Sequence, residues 1–315
     1  MKDPYAECRL CPRLCRADRN RTEGFCKSGT RLKISSAVLH KGEEPPISGS
    51  RGSGAVFFTG CTLGCSFCQN YQISANDMGT EQTEQEFVQI LLDLQNKGAH
   101  NINFVTGTHF IPGIAKCLSA ARKSGLTIPA VWNTSGFESE EGLAILSDCI
   151  DIFLPDIKTV DPCISARILG TESYARNIIP AIEKMIVPPV YDEQGLMKKG
   201  TITRHLVLPG LSENTRQVLE LFSEKFRDRA LISLMVQYAA PSGPALSDDF
   251  PDRMKKRSGG LSPLEYDELI EWLDLYKIEE GFVQDLSDDY GWLPDFKRYN
   301  PFPGEYSEVV WHWER

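Results

Sequence analysis

The sequence predicts an α/β fold, a parallel sheet with helices on its outer face, preceded by a small cysteine-rich appendage. Three observations carry this. Short apolar runs alternate six times with segments of helical period between residues 55 and 276; Gly- and Pro-rich stretches close the segment before them; and seven of the ten cysteines fall in the first 68 residues.

Residues 1–50 are basic, turn-rich and of little periodicity, and end in Pro45-Pro46 and Gly49-Ser50-Arg51-Gly52-Ser53-Gly54, which read as loops. The first strand is Ala55 to Phe58, and Phe87, Ile90, Leu91 and Leu94 then mark a helix over 84–96. A strand at 103–105 precedes a helix over 114–122, a strand at 130–132 a helix over 140–146, and a strand at 151–154 two helical segments at 164–169 and 175–185. The fifth strand, 203–208, leads to a helix at 215–226, and the sixth, 231–236, to one at 263–276, where Trp272 belongs to the packed face. The charged stretch from Ser247-Asp248-Asp249 to Gly259-Gly260 reads as a solvated loop. The division is an appendage over 1–50, a main body over 51–281, and an irregular, aromatic-rich tail over 282–315 placed to cover an open sheet edge or the site.

The chain has 315 residues, 41% hydrophobic and 24% charged, enough to bury a large core. A net charge of −9 argues against long-range attraction to nucleic acid. No stretch approaches the roughly 20 apolar residues of a membrane span, and Met1-Lys2-Asp3-Pro4 lacks the apolar core of a signal peptide. The expectation is a soluble cytoplasmic protein with neither nucleic acid nor membrane as partner.

Directly after the first strand stands Cys61-Thr-Leu-Gly-Cys65-Ser-Phe-Cys68. Three thiolates on one tight loop can hold three corners of a cubane cluster and leave one iron open; the alternative is a zinc site that recruits a fourth ligand elsewhere. Gly60 and Gly64 suit a backbone wrapped around such a group. A second set, Cys8, Cys11, Cys15 and Cys26, offers four thiolates, which satisfy either a tetrahedral zinc or a complete 4Fe–4S cluster. Cys117, Cys149 and Cys163 are spaced as isolated small hydrophobes.

The Cys-x3-Cys-x2-Cys spacing, with Phe67 before the last cysteine, resembles the signature of the radical S-adenosylmethionine (SAM) superfamily. Residues 54–237 resemble in particular the branch related to pyruvate formate-lyase activating enzymes. The segment Cys-Arg-Leu-Cys-Pro-Arg-Leu-Cys, followed by Gly24-Phe25-Cys26, is similar to that of activating-enzyme homologues of unassigned substrate. It differs from the ferredoxin-like insert that the better-known glycyl radical activases carry after the SAM cysteines. The resemblance implies a partial, open (β/α)6 TIM-like barrel with a 4Fe–4S cluster and SAM at the C-terminal ends of its strands. It also implies a one-electron donor such as flavodoxin or ferredoxin, and a 5′-deoxyadenosyl radical that takes a hydrogen atom from substrate.

Polar residues at the strand ends are the candidate ligands. Thr106-Gly107-Thr108-His109 stands where the superfamily places a Gly-Gly-Glu motif for the amino group of SAM. Only Gly107 matches, Thr106 and Thr108 offer hydroxyl acceptors, and His109 is either a proton-transfer group or the cap of the following turn. By the same resemblance Phe67, Asn133 and Ser135 meet SAM, and Asp156 and Lys158, on one face of their strand, lie beside it unless they form a structural ion pair. Arg204 would grip the SAM carboxylate with its fork, His205 would face the opposite side, and Gln237 would complete the pocket. The leading reading is therefore a radical SAM oxidoreductase that activates a glycyl radical enzyme or else modifies a peptide or metabolite. A non-catalytic electron-transfer or metal-binding protein with two ordinary clusters would require eight cysteines, and the two motifs hold seven.

Overall fold

The computed structural model describes residues 3–241, 246, 250–256, 259–287 and 292–314. In chain order its elements are β1 (Leu32–His40), α1 (Pro45–Ser48), β2 (Ser53–Phe58), α2 (Tyr71–Ser74), β3 (Thr80–Gln82), α3 (Glu84–Asn96), β4 (Ile102–Val105), α4 (Ile111–Lys123), β5 (Ala130–Thr134), α5 (Glu140–Leu146) and β6 (Ile152–Pro155). They continue with α6 (Pro162–Leu169), α7 (Ser173–Met185), β7 (Val190–Tyr191), β8 (Met197–Leu206), α8 (Ser212–Lys225), β9 (Leu231–Met235), α9 (Pro263–Leu275), β10 (Gly281–Val283) and β11 (Ser307–His312).

The six apolar runs become β2, β4, β5, β6, β8 and β9, which pair in that order and in parallel. Alternation along each strand then separates two environments. Val56, Phe58, Phe104, Trp132 and Phe153 point outward into a core shared with Phe87, Ile90, Leu91 and Leu94 of α3 and Ile114 and Leu118 of α4. The opposite, concave face carries Val131, Ile152, Leu154, Ile202 and Leu231, plugged by Ile47 of α1. The fold is thus an α/β sheet curved like a barrel and left open, since β10 and β11 end its strand order rather than pairing with each other. Helix starts follow local rules: Thr83 with Glu86 and Ser262 with Glu265 form capping boxes, and Asp161 caps α6 just before Pro162.

Two segments depart from the sequence reading. Residues 1–50 are not turn-rich throughout. Leu32–His40 forms a long buried strand antiparallel to β2, which extends the sheet inward from the cysteine-rich loops. Its apolar run is interrupted by Ser35 and Ser36, both fully buried, so no period stood out. The tail is likewise structured at both ends. β10 adds a parallel strand beside β9, and β11 pairs antiparallel with β1. Ser247, Asp248 and Asp249 lie outside the described residues, while Asp252–Lys255 makes one 3-10 turn. Cys117 is core, as expected, whereas Cys163 stands exposed in the first turn of α6.

Two buried histidines, His109 and His205, and the half-buried His40 give the fold a pH dependence. Burial pushes His40 and His205 down to about 4 and His109 to about 3. His205 has both ring nitrogens engaged, 2.6 Å from the Ile157 carbonyl and 3.0 Å from Thr215 Oγ1 on α8. Because the unfolded chain takes up these protons near 6.5 and the folded one does not, stability is complete above that pH and falls as the pH drops toward 4. Each group contributes up to about 1.4 kcal/mol per pH unit in that window. His205→Gln should therefore lose about 2 kcal/mol less than wild type between pH 7.5 and 5.0, measured by urea unfolding; equal losses would show that His205 does not stay neutral.

Candidate active site

The loop between β2 and α2 carries Cys61, Cys65 and Cys68 at one end of a cavity of about 480 Å³ on the concave face, at the C-terminal ends of the parallel strands. Its shape is fixed locally. Gly60, with φ +88°, turns the chain before Cys61; the Leu63 amide donates to Cys61 Sγ at 3.3 Å; and Ser66 donates through its amide and hydroxyl to the Ile168 carbonyl of α6. Burial raises the Cys61 thiol to about 12 and Cys65 further still, so these two stay protonated until a metal displaces their protons.

Across the cavity runs a chain of charges. Lys158 Nζ donates to Asp156 Oδ2 at 2.9 Å, Arg204 Nε to Asp156 Oδ1 at 3.0 Å, and Arg204 Nη1 to Glu43 Oε2 at 2.9 Å, while Arg204 Nη2 donates to Asn133 Oδ1. Burial opposes ionisation of Asp156, but Lys158 and Arg204 outweigh it and hold the carboxyl below its ordinary value. Lys158 is correspondingly raised against burial by Asp156 and the Cys65 sulfur, and it sits 5.9 Å from the Phe67 ring centroid. Glu43, in the connection after β1, also accepts from Asn103 Nδ2 at 2.9 Å. No sequence pattern marked it, because its partners lie on β4, β5 and β8.

Most of the expected site residues meet here: Phe67, Thr106, Asn133, Ser135, Asp156, Lys158, Arg204 and Gln237 all line the cavity with the three cysteines. Among the described residues Ser135 Oγ and Gln69 Nε2 are buried there without a hydrogen-bond partner, as groups facing a ligand would be. Other expectations are corrected. Gly107 points away from the cavity: a Cβ on it would stand 2.6 Å from Ile114 and 3.0 Å from Trp132. Thr108 Oγ1 turns to Glu138 Oε1 at 2.7 Å, which also takes the Trp132 indole N–H and the Thr134 hydroxyl. His109 is buried outside the cavity lining, with Nε2 2.8 Å from the Thr59 carbonyl and its ring pushed to about pKa 3, which keeps it neutral and away from the reacting groups. The fork of Arg204 is engaged by Asp156 and Glu43, so it braces the wall and is not free to grip a carboxylate in the two-point manner expected. The tail adds Trp292, Pro294, Phe302 and Tyr306 to the lining, which the sequence alone did not resolve.

The N-terminal cysteines lie against the other side of the same loop. Cys8, Cys11 and Cys26 are buried and Cys15 is exposed. A Cβ on Gly24 would be 3.4 Å from Cys15 Sγ and 3.5 Å from Cys26 Sγ. Leu14, Arg16 and Lys27, which flank Cys15 and follow Cys26, are held at positive φ of 46°, 54° and 54°. Strain of that kind costs about 1–3 kcal/mol per residue and persists only where something over-determines the backbone. Among the described residues, no group of three or more His, Cys, Asp or Glu side chains is arranged around a single metal ion as the chain stands.

The sequence profile of the radical SAM superfamily matches residues 55–222, over half of the chain and spanning β2 to α8. The chain belongs to the radical SAM superfamily. It is a radical SAM enzyme, and membership implies the 4Fe–4S cluster and SAM that the three-thiol loop and the cavity beside it fit by donor set. An uncharacterized protein of Methanocaldococcus jannaschii is 28% identical over 287 residues, covering 88% of this chain and 77% of its own. Among solved structures, Streptococcus suis SuiB bound to S-adenosylmethionine is similar over 72% of this chain and 49% of its own, at 12% identity and a TM-score of 0.48. A domain of pyruvate-formate lyase-activating enzyme from Bacteroides vulgatus is similar over 58% of this chain and 98% of its own, at 13% identity and a TM-score of 0.39. The chain thus spans about half the length of SuiB. No helix of this radical SAM protein is long and apolar enough, among the described residues, to cross a membrane.

The buried charge chain yields a stability prediction. Arg204→Met leaves Glu43 without its cation and Asp156 with Lys158 alone, and should destabilise the protein by about 3–5 kcal/mol in urea titrations. Adding Glu43→Gln should recover part of that loss. If the single variant unfolds at the wild-type midpoint, the network does not brace the barrel.

Proposed function

We propose that this protein reductively cleaves SAM at a 4Fe–4S cluster held by Cys61, Cys65 and Cys68, and directs the resulting radical to a hydrogen atom of a substrate bound in the same cavity. The observation that carries the reading is the meeting of three thiols with a polar wall in one cavity at the C-terminal strand ends. When bound, the cluster and SAM supply the one-electron cleavage and the 5′-deoxyadenosyl radical.

The chain's own residues bind, orient and exclude water. Lys158 uses one N–H on Asp156 and keeps two for an anionic group, which makes it the better carboxylate partner for SAM now that Arg204 is engaged. The unpartnered Ser135 hydroxyl and the Thr106 hydroxyl suit the ammonium or ribose end. Phe57, Phe302, Trp292 and Tyr306 form an apolar rim that limits solvent access to the reacting carbon. The N-terminal cysteines take a second metal, zinc or a 4Fe–4S cluster, and an acidic carrier such as flavodoxin or ferredoxin supplies the electron. The substrate we assign first is a glycine of a partner protein, with a peptide or metabolite as the alternative.

Two variants and one spectrum test this. Cys65→Ala should abolish 5′-deoxyadenosine production by reconstituted, reduced enzyme while circular dichroism shows the sheet and helices intact; undiminished production would remove this loop from the chemistry. Cys11→Ala should lower bound metal yet leave the spectrum of the first cluster unchanged. For the substrate, electron spin resonance of candidate partner proteins after incubation should show a glycine-centred doublet, and accumulation of a modified small molecule without it would overturn glycine activation.

A further inference from the structure

The cavity is walled in two unlike ways. Cysteines aside, the charged side chains among its described lining are Glu43, Asp156, Lys158 and Arg204, and all four belong to the one chain of ion pairs. The wall to which the tail contributes is aromatic and uncharged. Phe302 stands 4.6 Å, ring centroid to ring centroid, from His40 of β1 and 5.4 Å from Phe57 of β2. Burial pushes the pKa of His40 down to about 4, so its ring is neutral at pH 7. Among the described residues two donors of this lining, Gln69 Nε2 and Trp292 Nε1, are buried without a hydrogen-bond partner. The amide of Gln284 is by contrast engaged, since its Oε1 accepts the Val236 N–H at 3.2 Å.

The tail is fixed beside the cluster loop by specific bonds. Gln72 of α2 is buried and grips it at two points: Nε2 donates to Asp295 Oδ1 at 2.9 Å, and Oε1 accepts the Phe296 N–H at 2.7 Å. Phe296 is fully buried, with its ring 5.4 Å from Phe57 and 6.2 Å from Phe302. Asn300 closes the tail on itself, since its Oδ1 accepts the Ser307 hydroxyl at 2.6 Å. On the other side of this latch, Ser74 of α2 lies 3.4 Å from Cys68 Sγ, so the tail and the cysteine loop are held in one arrangement. The tail lies beyond residues 55–222, the span that the superfamily profile matches, so this wall is an addition to the shared scaffold.

An N–H buried without an acceptor is costly, and a bound oxygen relieves the cost. An indole N–H and an amide NH2 can only donate, so both call for acceptor oxygens on a ligand. The charge of that ligand is limited by what the wall lacks. Arg204 is taken by Asp156 and Glu43, Glu43 Oε1 is taken by Asn103 and Asn133, and the free N–H groups of Lys158 serve the carboxylate of SAM in the proposed function. A carboxylate, phosphate or ammonium placed against the aromatic wall would be buried without a counter-charge. A free amino acid carries such charges at pH 7, whereas a residue inside a polypeptide presents neutral amides on both sides. We propose that the tail builds a substrate subsite for an uncharged amide: Gln69 Nε2 and Trp292 Nε1 donate to backbone carbonyls of a residue within a polypeptide, and the neutral wall excludes charged metabolites. The inference rests on the proposed SAM cleavage, and it assigns the residues that choose the substrate.

The test uses reconstituted, oxidised full-length enzyme with SAM bound and four small probes. N-acetylglycine N′-methylamide is neutral, N-acetylglycine is an anion, glycine N-methylamide is a cation, and glycine is a zwitterion. Binding is followed by ligand-observed NMR. The neutral diamide should bind about tenfold or more tighter than each charged probe. Trp292→Phe keeps an aromatic ring and removes the N–H, and Gln69→Leu removes the amide. Each should weaken the diamide by about three- to tenfold and leave the weak binding of the charged probes where it is, so that the preference for the neutral probe shrinks. Trp292 stands far in sequence from the cysteine loop, so its variant decides the matter if Gln69→Leu fails to take up iron. Charged probes that bind as tightly as the diamide, no measurable binding of the diamide, or wild-type affinity in Trp292→Phe would overturn the proposal. SAM cleavage by reduced wild type is measured separately. Its absence would sink the underlying function, whereas cleavage together with a preference for charged probes would sink this subsite alone.

Discussion

The Arg204 guanidinium is the interaction on which the architecture around the cavity depends. The parallel ladder between β6 and β8 holds only at Ile152–Gly200 and Phe153–Thr201, and beyond it the two strands meet again at a single bridge, Asp156 with Arg204. A sheet that loosens at this point would open the barrel at the end where the site lies. Arg204 closes it with side chains, to Asp156 on the extension of β6, to Asn133 on β5 and to Glu43 in the connection after β1. One cation thereby ties three strands and a loop together at the cavity wall. Two carboxylates on one guanidinium would leave excess negative charge in a buried place, and Lys158 beside Asp156 offsets it.

That arrangement explains how the wall can be rigid and still leave a charge for a ligand. Arg204 is occupied, whereas Lys158 lies between Asp156 and the sulfur atoms of Cys65 and Cys68 with two N–H groups to spare. The division of labour follows from reach and from chemistry. A planar fork with several acceptors in place is a brace, and a flexible ammonium at the end of a four-carbon stem can follow a ligand.

The sheet was largely legible in the sequence because its central strands are short, apolar and separated by amphipathic helices whose periods are plain; the 84–96 helix matches α3 residue for residue. β1 was not, since Ser35 and Ser36 interrupt its apolar run, and β11 was not, since Ser-Glu-Val-Val-Trp-His is as compatible with an irregular tail as with a strand until β1 supplies its partner. At the site, residues at strand ends reach the cavity wherever the inward alternation decides the matter, as for Asn133, Asp156 and Arg204. Thr108 and His109 failed for a geometric reason. Thr106 takes a left-handed φ of 59°, after which a 3-10 turn swings both side chains off the concave face, one to Glu138 and the other under Gly60. Glu43 left no local trace, for its role exists only through partners 60 to 161 residues away.

The same logic applies to the cysteine-rich segment, whose fold cannot rest on apolar burial alone. It contributes Tyr5, Cys8 and Leu10 as a small cluster against Ile145, too little to hold three left-handed non-glycine residues and a buried arginine in place. Polar anchors do part of this work: Arg13 on the carbonyls of Thr62, Leu169 and Gly170, and Arg19 on those of Ser28, Gly29 and His109. These anchors run from the segment into the loop that carries Cys61 and into the end of α6, so the segment and the cluster loop brace one another. Four deprotonated thiols gathered beside Arg19 by a metal would balance its charge and fix the strained turns at once, because ligand bonds constrain backbone as hydrophobic contacts do not. The N-terminal segment is thus best understood as part of the wall behind the active site, set there by its arginine anchors where a hydrophobic core is too small to do it.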